Sequence, residues 1–306
     1  TMPALVSETS GDTVWLIDAQ TIDVPPLFGI EYTEHPAVRY QRIAKNCASA
    51  FSPMLVRQMR HVYFAMIAAL DEMVGRVVQQ IDDLGLRDST YIIFSSDHGE
   101  MAGEQNQVLK RCMYEASAHI PLIICGPNVR RGAVVDEPVS LVDLYPTLMD
   151  MAGVSYQTLA ERSGYAERLD GESLMPQLTS DAPRQRAWAM AEYHGDRACT
   201  GTFMLRQERW KLIRHMGFAS ELYDLAEDPG EQRDLAALQS DVVARLESVL
   251  DAHFDCAEID ERAKAYDRAS FLRWRAFAQA EGSYEDTMAH VFSGYDRQSI
   301  EELEPW

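Results

Sequence analysis

The sequence predicts an α/β fold: a mostly parallel sheet flanked by helices, followed by a small antiparallel sheet with a packed helix. Three observations predict it. A stretch of helical periodicity over 62–84 leads into a short β-rich run at 91–95. A second apolar run at 120–125 and an apolar helical segment at 144–152 follow. Beyond about residue 155 the pattern changes to short strand candidates separated by turns, so the chain divides into 1–155 and 156–306.

Residues 1–55 give no clear element, because Pro25, Pro26, Pro36 and Pro53 interrupt any long one. They suggest a lead-in that wraps the surface. Val62, Met66, Leu70, Met73, Val77, Ile81 and Leu84 then recur every three or four residues, and Gly85 is the expected stop. The runs 91–95 and 120–125 are apolar enough to be buried on both faces, the habit of parallel strands. On that reading Cys125 is a core thiol. Leu144 to Ala152 forms a helix that ends at Gly153. The segments 187–193, 202–206, 210–214 and 221–225 form the antiparallel sheet, and 235–254 is the helix that covers it. The tail, 256–306, carries Phe271, Trp274, Phe277 and Trp306 and packs as helix and loop.

Composition narrows the function. The net charge of −20 argues against nucleic acid, whose affinity rests on cations meeting phosphates. No apolar run is long enough to span a membrane, and no leader peptide is visible at the first residues. The five cysteines, Cys47, Cys112, Cys125, Cys199 and Cys256, are odd in number and widely spaced, which suits neither a disulfide framework nor a zinc knuckle.

The chemistry concentrates at one strand end. The apolar run 91–95 leads straight into Asp97 and His98. Ligands of open α/β sheets sit at the carboxyl ends of strands. A carboxylate and a neutral imidazole there could give two ligands to a divalent metal. The alternative is an Asp-turn with a surface histidine. Lys110 follows 12 residues after His98 and would anchor a tetrahedral anion beside such a metal. Alone, it is as readily a solvated surface lysine.

The segments "SSDHGEMAGE", Lys110, "MYEASAHIPLIICGP" and "VSLVDLYPTLMDMAG" resemble, in order, the sulfatases of the alkaline phosphatase superfamily. "AEYHG", "RWKLI", "ELYDLAEDPGEQRDLA" and "FLRWRAFAQ" continue the likeness, which covers about 32–280 and is nearest to the arylsulfatase K and choline-sulfatase-like branch. The resemblance implies an alkaline-phosphatase-like fold and a metal-dependent sulfuric ester hydrolase. Its nucleophile would be a formylglycine made from the cysteine of C-x-P-x-R. It assigns Asp97 and His98 to the metal, Lys110 to the sulfate and leaving-group oxygens, and His194 to the substrate mouth. The implied metal is calcium. His98 stands where many members have Asn, and its nitrogen leaves room for manganese or zinc. The implied substrate is a small sulfate ester or a sulfated sugar.

Two features of the family are absent. No cysteine or serine fits the nucleophile motif, since Cys125-Gly-Pro127-Asn-Val-Arg130 carries its arginine one residue late. The paired acidic residues that open a sulfatase are also missing, and Glu104-Gln105 replaces the family's Glu-His. The expectation is that residues 1–155 are the C-terminal part of the catalytic domain. A missing N-terminal segment or a partner chain then completes the site. The alternatives are a phosphonate monoester or phosphodiester hydrolase of the same superfamily, and a non-catalytic remnant.

Overall fold

The computed structural model describes residues 5–9, 12–16, 21–25, 34–155 and 169–293. The chain groups into two compact units. One comprises Thr1–Pro25, Phe51–Gly103 and His119–Ala189, and the other Pro26–Ala50, Glu104–Ala118 and Met190–Trp306.

In the first unit an antiparallel hairpin pairs Leu5–Thr9 with Asp12–Leu16. The dominant element is the 31-residue helix Pro53–Asp83. Its start is locally encoded. The Ser52 side chain accepts from the Leu55 N–H at 3.2 Å, and Pro53 occupies the first helical position, where its missing N–H costs nothing. Pro36 and Pro53, expected from the sequence to interrupt any long element, instead open helices. The helix ends in two returning bonds, Gly85 N–H to Asp82 O at 2.9 Å and Leu86 N–H to Ile81 O at 3.0 Å. Gly85 has φ of 66°, the left-handed cap that glycine adopts without strain.

This helix buries Val56 against Gly103, where a Cβ would stand 2.6 Å from Val56 Cγ1. Much of its remaining apolar stripe faces outward, with Val62 62%, Met66 64% and Val77 61% exposed. The strands Ile92–Ser95 and Leu122–Cys125 pair antiparallel, Ile92 opposite Cys125 and Ser95 opposite Leu122. Two expectations change here. This pair is not parallel, and Cys125 is exposed, as is Ile123, while the neighbours on the other face are half-buried. An apolar run reports a preference for burial; it carries no information on strand direction, nor on what covers each face.

The helix Leu144–Met151 follows a single turn, Leu141–Asp143. Asp143 is fully buried and accepts from Ser140 N–H (2.9 Å), Glu172 N–H (2.9 Å), Arg184 (3.0 Å) and Arg186 (2.6 Å). One carboxylate thereby ties four points of the chain.

In the second unit the helix Pro36–Ala44 precedes a four-stranded sheet. The strand order is Glu221–Asp224, Trp210–His215, Thr202–Gln207, Trp188–Tyr193, and the described registers are antiparallel. Phe203, Leu205, Leu212 and Leu222 of the sheet are fully buried, as are Leu246 and Leu250 of the helix Ser240–His253. That helix starts five residues later than its apolar periodicity begins. Asp234 accepts from the N–H groups of Leu222 (2.9 Å) and Ala236 (2.9 Å), which holds the preceding segment as a turn. The helices Cys256–Ala280 and Tyr284–Phe292 follow. The end of the tail, including Trp306, lies outside the described residues. Among the described residues no helix is long and apolar enough to cross a membrane.

Candidate functional site

At the end of Ile92–Ser95 the chain places Asp97 and His98 side by side. The Asp97 side chain is 82% exposed and its Oδ2 lies 3.3 Å from His98 Nε2. His98 donates its own backbone N–H to Asp97 Oδ1 at 3.0 Å. The ring is oriented from its other side, with Nδ1 2.8 Å from the Gly99 carbonyl oxygen. A carbonyl only accepts, so Nδ1 carries the proton and the neutral ring presents its lone pair at Nε2, beside the carboxylate. Donors about 3 Å apart suit two positions around one cation with bonds of about 2.0–2.4 Å. A backbone carbonyl that fixes the tautomer from the far side of the ring is how protein metal sites hold histidine. These two residues therefore fit a divalent metal. Slight burial pushes the Asp97 carboxyl up. The N–H groups of Asp97 and His98, with the Ser96 hydroxyl and the neighbouring His98 ring, outweigh it and hold the group below its usual range.

Lys110 and His194 belong to the second unit. Lys110 sits in a loop of uncommon backbone. Gln105, Asn106, Leu109 and Arg111 have φ of 51°, 50°, 68° and 79°. Positive φ is costly for leucine and arginine, and such strain persists where the surroundings over-determine it. They do so here. Gln105 Nε2 donates to Glu231 O at 2.6 Å, Asn106 Nδ2 to Ser49 O at 3.1 Å, and Lys45 Nζ to Gln107 Oε1 at 2.7 Å. Burial pushes the Lys45 ammonium below its usual range. Arg111 closes the loop with an ion pair, Nε to Asp196 Oδ1 at 3.0 Å, and Asp196 lies two residues beyond His194. Tyr193 donates to Asp196 O at 2.9 Å. Burial first, and then the Asp196 charge, push its phenol up to about 12. The loop that carries Lys110 and the turn that carries His194 are thus bolted together by Arg111 and Asp196. No sequence signal marks that pair, because the contact is tertiary.

His194 packs edge-on to Phe203, ring centroids 5.2 Å apart, with Nε2 3.4 Å from Glu192 Oε2. Its Nδ1 is buried and has no hydrogen-bond partner among the described residues.

A further histidine cluster was not visible in the sequence. His35, His215 and Glu221 bring ligand-type atoms within 4.8 Å of one another. They do not fit a metal. His35 Nδ1 accepts the Ala37 N–H at 3.2 Å as a helix cap. Its proton must then be on Nε2, which donates to Ala219 O at 2.9 Å, and no lone pair remains. His215 lies between Thr202 Oγ1 (3.0 Å) and Glu221 Oε1 (2.8 Å). Glu221 Oε2 accepts from Tyr114 (2.9 Å) and Tyr223 (2.6 Å). Burial pushes the Glu221 carboxyl up, but the hydrogen bond and charge of His215, with the Tyr223 hydroxyl, outweigh it and hold it below its usual range. Burial likewise lowers His35, against the pull of Glu221.

The chain is similar to known proteins over most of its length. Residues 25–154 match the family described as Sulfatase, and residues 103–254 match N-sulphoglucosamine sulphohydrolase, C-terminal. Arylsulfatase K of Danio rerio is 36% identical over 285 residues, which is 89% of this chain and 52% of that protein. The chain spans about half the length of the curated relatives it matches. Among solved structures, the phosphonate monoester hydrolase SpPMH from Silicibacter pomeroyi is similar with a TM-score of 0.65 and 27% identity, over 77% of this chain and 51% of that one. BT4656, in complex with its substrate D-glucosamine-2-N,6-O-disulfate, is similar with a TM-score of 0.53 and 28% identity, over 62% of this chain and 39% of that one.

Proposed function

We propose that this chain, which matches the Sulfatase family over residues 25–154 and is 36% identical to an arylsulfatase K, carries the metal-binding and anion-binding part of a sulfuric ester hydrolase. The observation that carries this reading is the donor pair at the strand end, Asp97 Oδ2 and His98 Nε2, with the His98 tautomer fixed by Gly99 O. The family suggests a divalent metal, which Asp97 and His98 would hold. Calcium comes first by family resemblance, with manganese or zinc suited to the His98 nitrogen. Bound there, the cation would neutralise sulfate oxygens as a Lewis acid. The Lys110 ammonium, held by its braced loop, pairs with an oxygen of the tetrahedral group or with the leaving oxygen. His194 contacts the substrate through Nε2. A sulfated sugar is the favoured substrate, because BT4656 binds one.

The nucleophile, a formylglycine by family resemblance, and the remaining carboxylates come from a further segment or a partner chain. The lack of a C-x-P-x-R motif and the outward apolar stripe of Pro53–Asp83 support this. A second reading, hydrolysis of phosphonate monoesters, is favoured by the likeness to SpPMH. Both ester types present tetrahedral oxygens, so Lys110 serves either.

The test compares the 306-residue chain with a protein extended to include a C-x-P-x-R segment. Each is assayed on an aryl sulfate and a phosphonate monoester with calcium or manganese. The chain alone should be inactive and the extended protein active on the sulfate. Lys110→Ala should lower that turnover about 10²–10³-fold. Preference for the phosphonate would install the second reading. Inactivity on both esters, with the extended protein folded and its nucleophile oxidised, would make the chain a non-catalytic remnant. Turnover by the chain alone, abolished in Asp97→Ala, would place a nucleophile within these residues.

A further inference from the structure

His194 is backed by a wall of unusual construction. Gly201 lies so close that a Cβ there would stand 2.7 Å from His194 Nδ1 and 2.8 Å from Cε1. The backbone at Gly201 is in turn held by the helix Cys256–Ala280. Asp260, buried on that helix, accepts the Gly201 N–H on Oδ1 at 2.7 Å. Its Oδ2 accepts from Lys264 Nζ at 2.8 Å, one helical turn later. Lys264 also donates to Thr200 Oγ1 at 2.9 Å, and Thr200 donates to Met216 O at 2.9 Å. Met216 N–H returns to Gly201 O at 3.0 Å. Both polar groups of the Gly201 backbone are therefore fixed.

The consequence falls on the imidazole. Nδ1 faces this wall, buried and without a hydrogen-bond partner among the described residues. A proton there would be a buried donor with no acceptor. The neutral ring therefore keeps its proton on Nε2, the side toward Glu192 Oε2. We propose that Asp260, steadied by Lys264, is a positioning residue: by fixing Gly201 against Nδ1 it holds His194 as an Nε2–H donor to a substrate oxygen. The functional half of this rests on the reading of His194 as a substrate contact. It also defines what His194 does there. A ring that presents Nε2–H donates a hydrogen bond to an ester or hydroxyl oxygen and does not abstract a proton in that state.

The test reads the tautomer and the kinetics separately. Ring ¹⁵N shifts of His194 in the full chain should report a single Nε2–H tautomer. Asp260→Ala should give a mixture of tautomers, while Asp260→Asn, which keeps an acceptor for the Gly201 N–H, should restore the single one. In the hydrolytically competent protein, Asp260→Ala should raise KM about tenfold with kcat within about twofold. A change in tautomer with KM unmoved would remove His194 from the substrate mouth and leave the positioning intact. An unchanged tautomer in folded Asp260→Ala overturns the proposal. If that variant fails to fold, Lys264→Met decides, since it frees Asp260 Oδ2 and Thr200 from a half-exposed position without emptying buried volume. The proposal then requires a tautomer mixture, and a wild-type spectrum overturns it.

Discussion

His98 beside Asp97 and His35 beside His215 and Glu221 are both histidine–carboxylate clusters, one at an exposed strand end and the other at neighbouring strands of the antiparallel sheet, where His215 and Glu221 are buried and His35 is half-buried. The buried one has more ligand-type groups, yet it is the worse metal site. Its lone pairs and protons are all committed: to Ala37 and Ala219 at His35, to Thr202 and Glu221 at His215, and to two tyrosines at Glu221. The exposed pair commits only its far atoms, Nδ1 and Oδ1, and leaves Nε2 and Oδ2 facing the same space. Availability of a lone pair, fixed by what the other ring nitrogen does, separates a ligand from a structural histidine.

The largest effect expected from this contrast is on activity. Asp97→Ala in the extended protein should lower turnover about 10²–10³-fold, measured on an aryl sulfate at saturating metal. A loss below tenfold would remove Asp97 from the site. Next comes stability in the buried cluster. Glu221→Ala strips His215, Tyr114 and Tyr223 of their acceptor, and should cost about 3–5 kcal/mol in urea unfolding. A cost near zero would show that the network holds nothing together.

The third effect is on pH dependence. Burial lowers His35 from its ordinary value of 6.5. The unfolded chain then binds the extra proton first as pH falls, so the stability His35 contributes is present above about 6.5 and declines below it. Glu221, held below its usual range, contributes stability that is present above the ordinary carboxylate value and lost at lower pH, through its folded value. Stability should therefore begin to fall on acidification through pH 6. His35→Asn, which keeps a cap acceptor for Ala37, should flatten that first slope. A slope unchanged in His35→Asn would assign it elsewhere. The smallest effect is that of chelation. Treating the chain with a chelator should leave its melting temperature unchanged within about 1 °C, since two exposed donors hold a cation weakly. A drop of several degrees would put a structural metal in the buried cluster.

What the sequence made legible was local. Asp97 and His98 are adjacent, so their shared position needs no tertiary knowledge, and the stops at Gly85 and Gly153 follow from left-handed caps, φ 66° at each. The four strands of the antiparallel sheet lie close in sequence and were legible as short runs separated by turns. Direction was not: Ile92–Ser95 and Leu122–Cys125 pair antiparallel because of the path between them, which apolarity does not encode. The strained backbone at Leu109 and Arg111 was also hidden, because its causes, Ser49, Asp196 and Glu231, are remote in sequence. So was the Asp260–Gly201 clamp, whose partners are 59 residues apart.

The most direct measurement is a manganese titration of the chain, followed through the histidine ring resonances by NMR. Paramagnetic broadening should reach His98 first and vanish in Asp97→Ala, while the rings of His35 and His215 stay sharp. Broadening of His35 and His215, or a His98 ring that manganese leaves untouched, would contradict the assignment of the metal to Asp97 and His98.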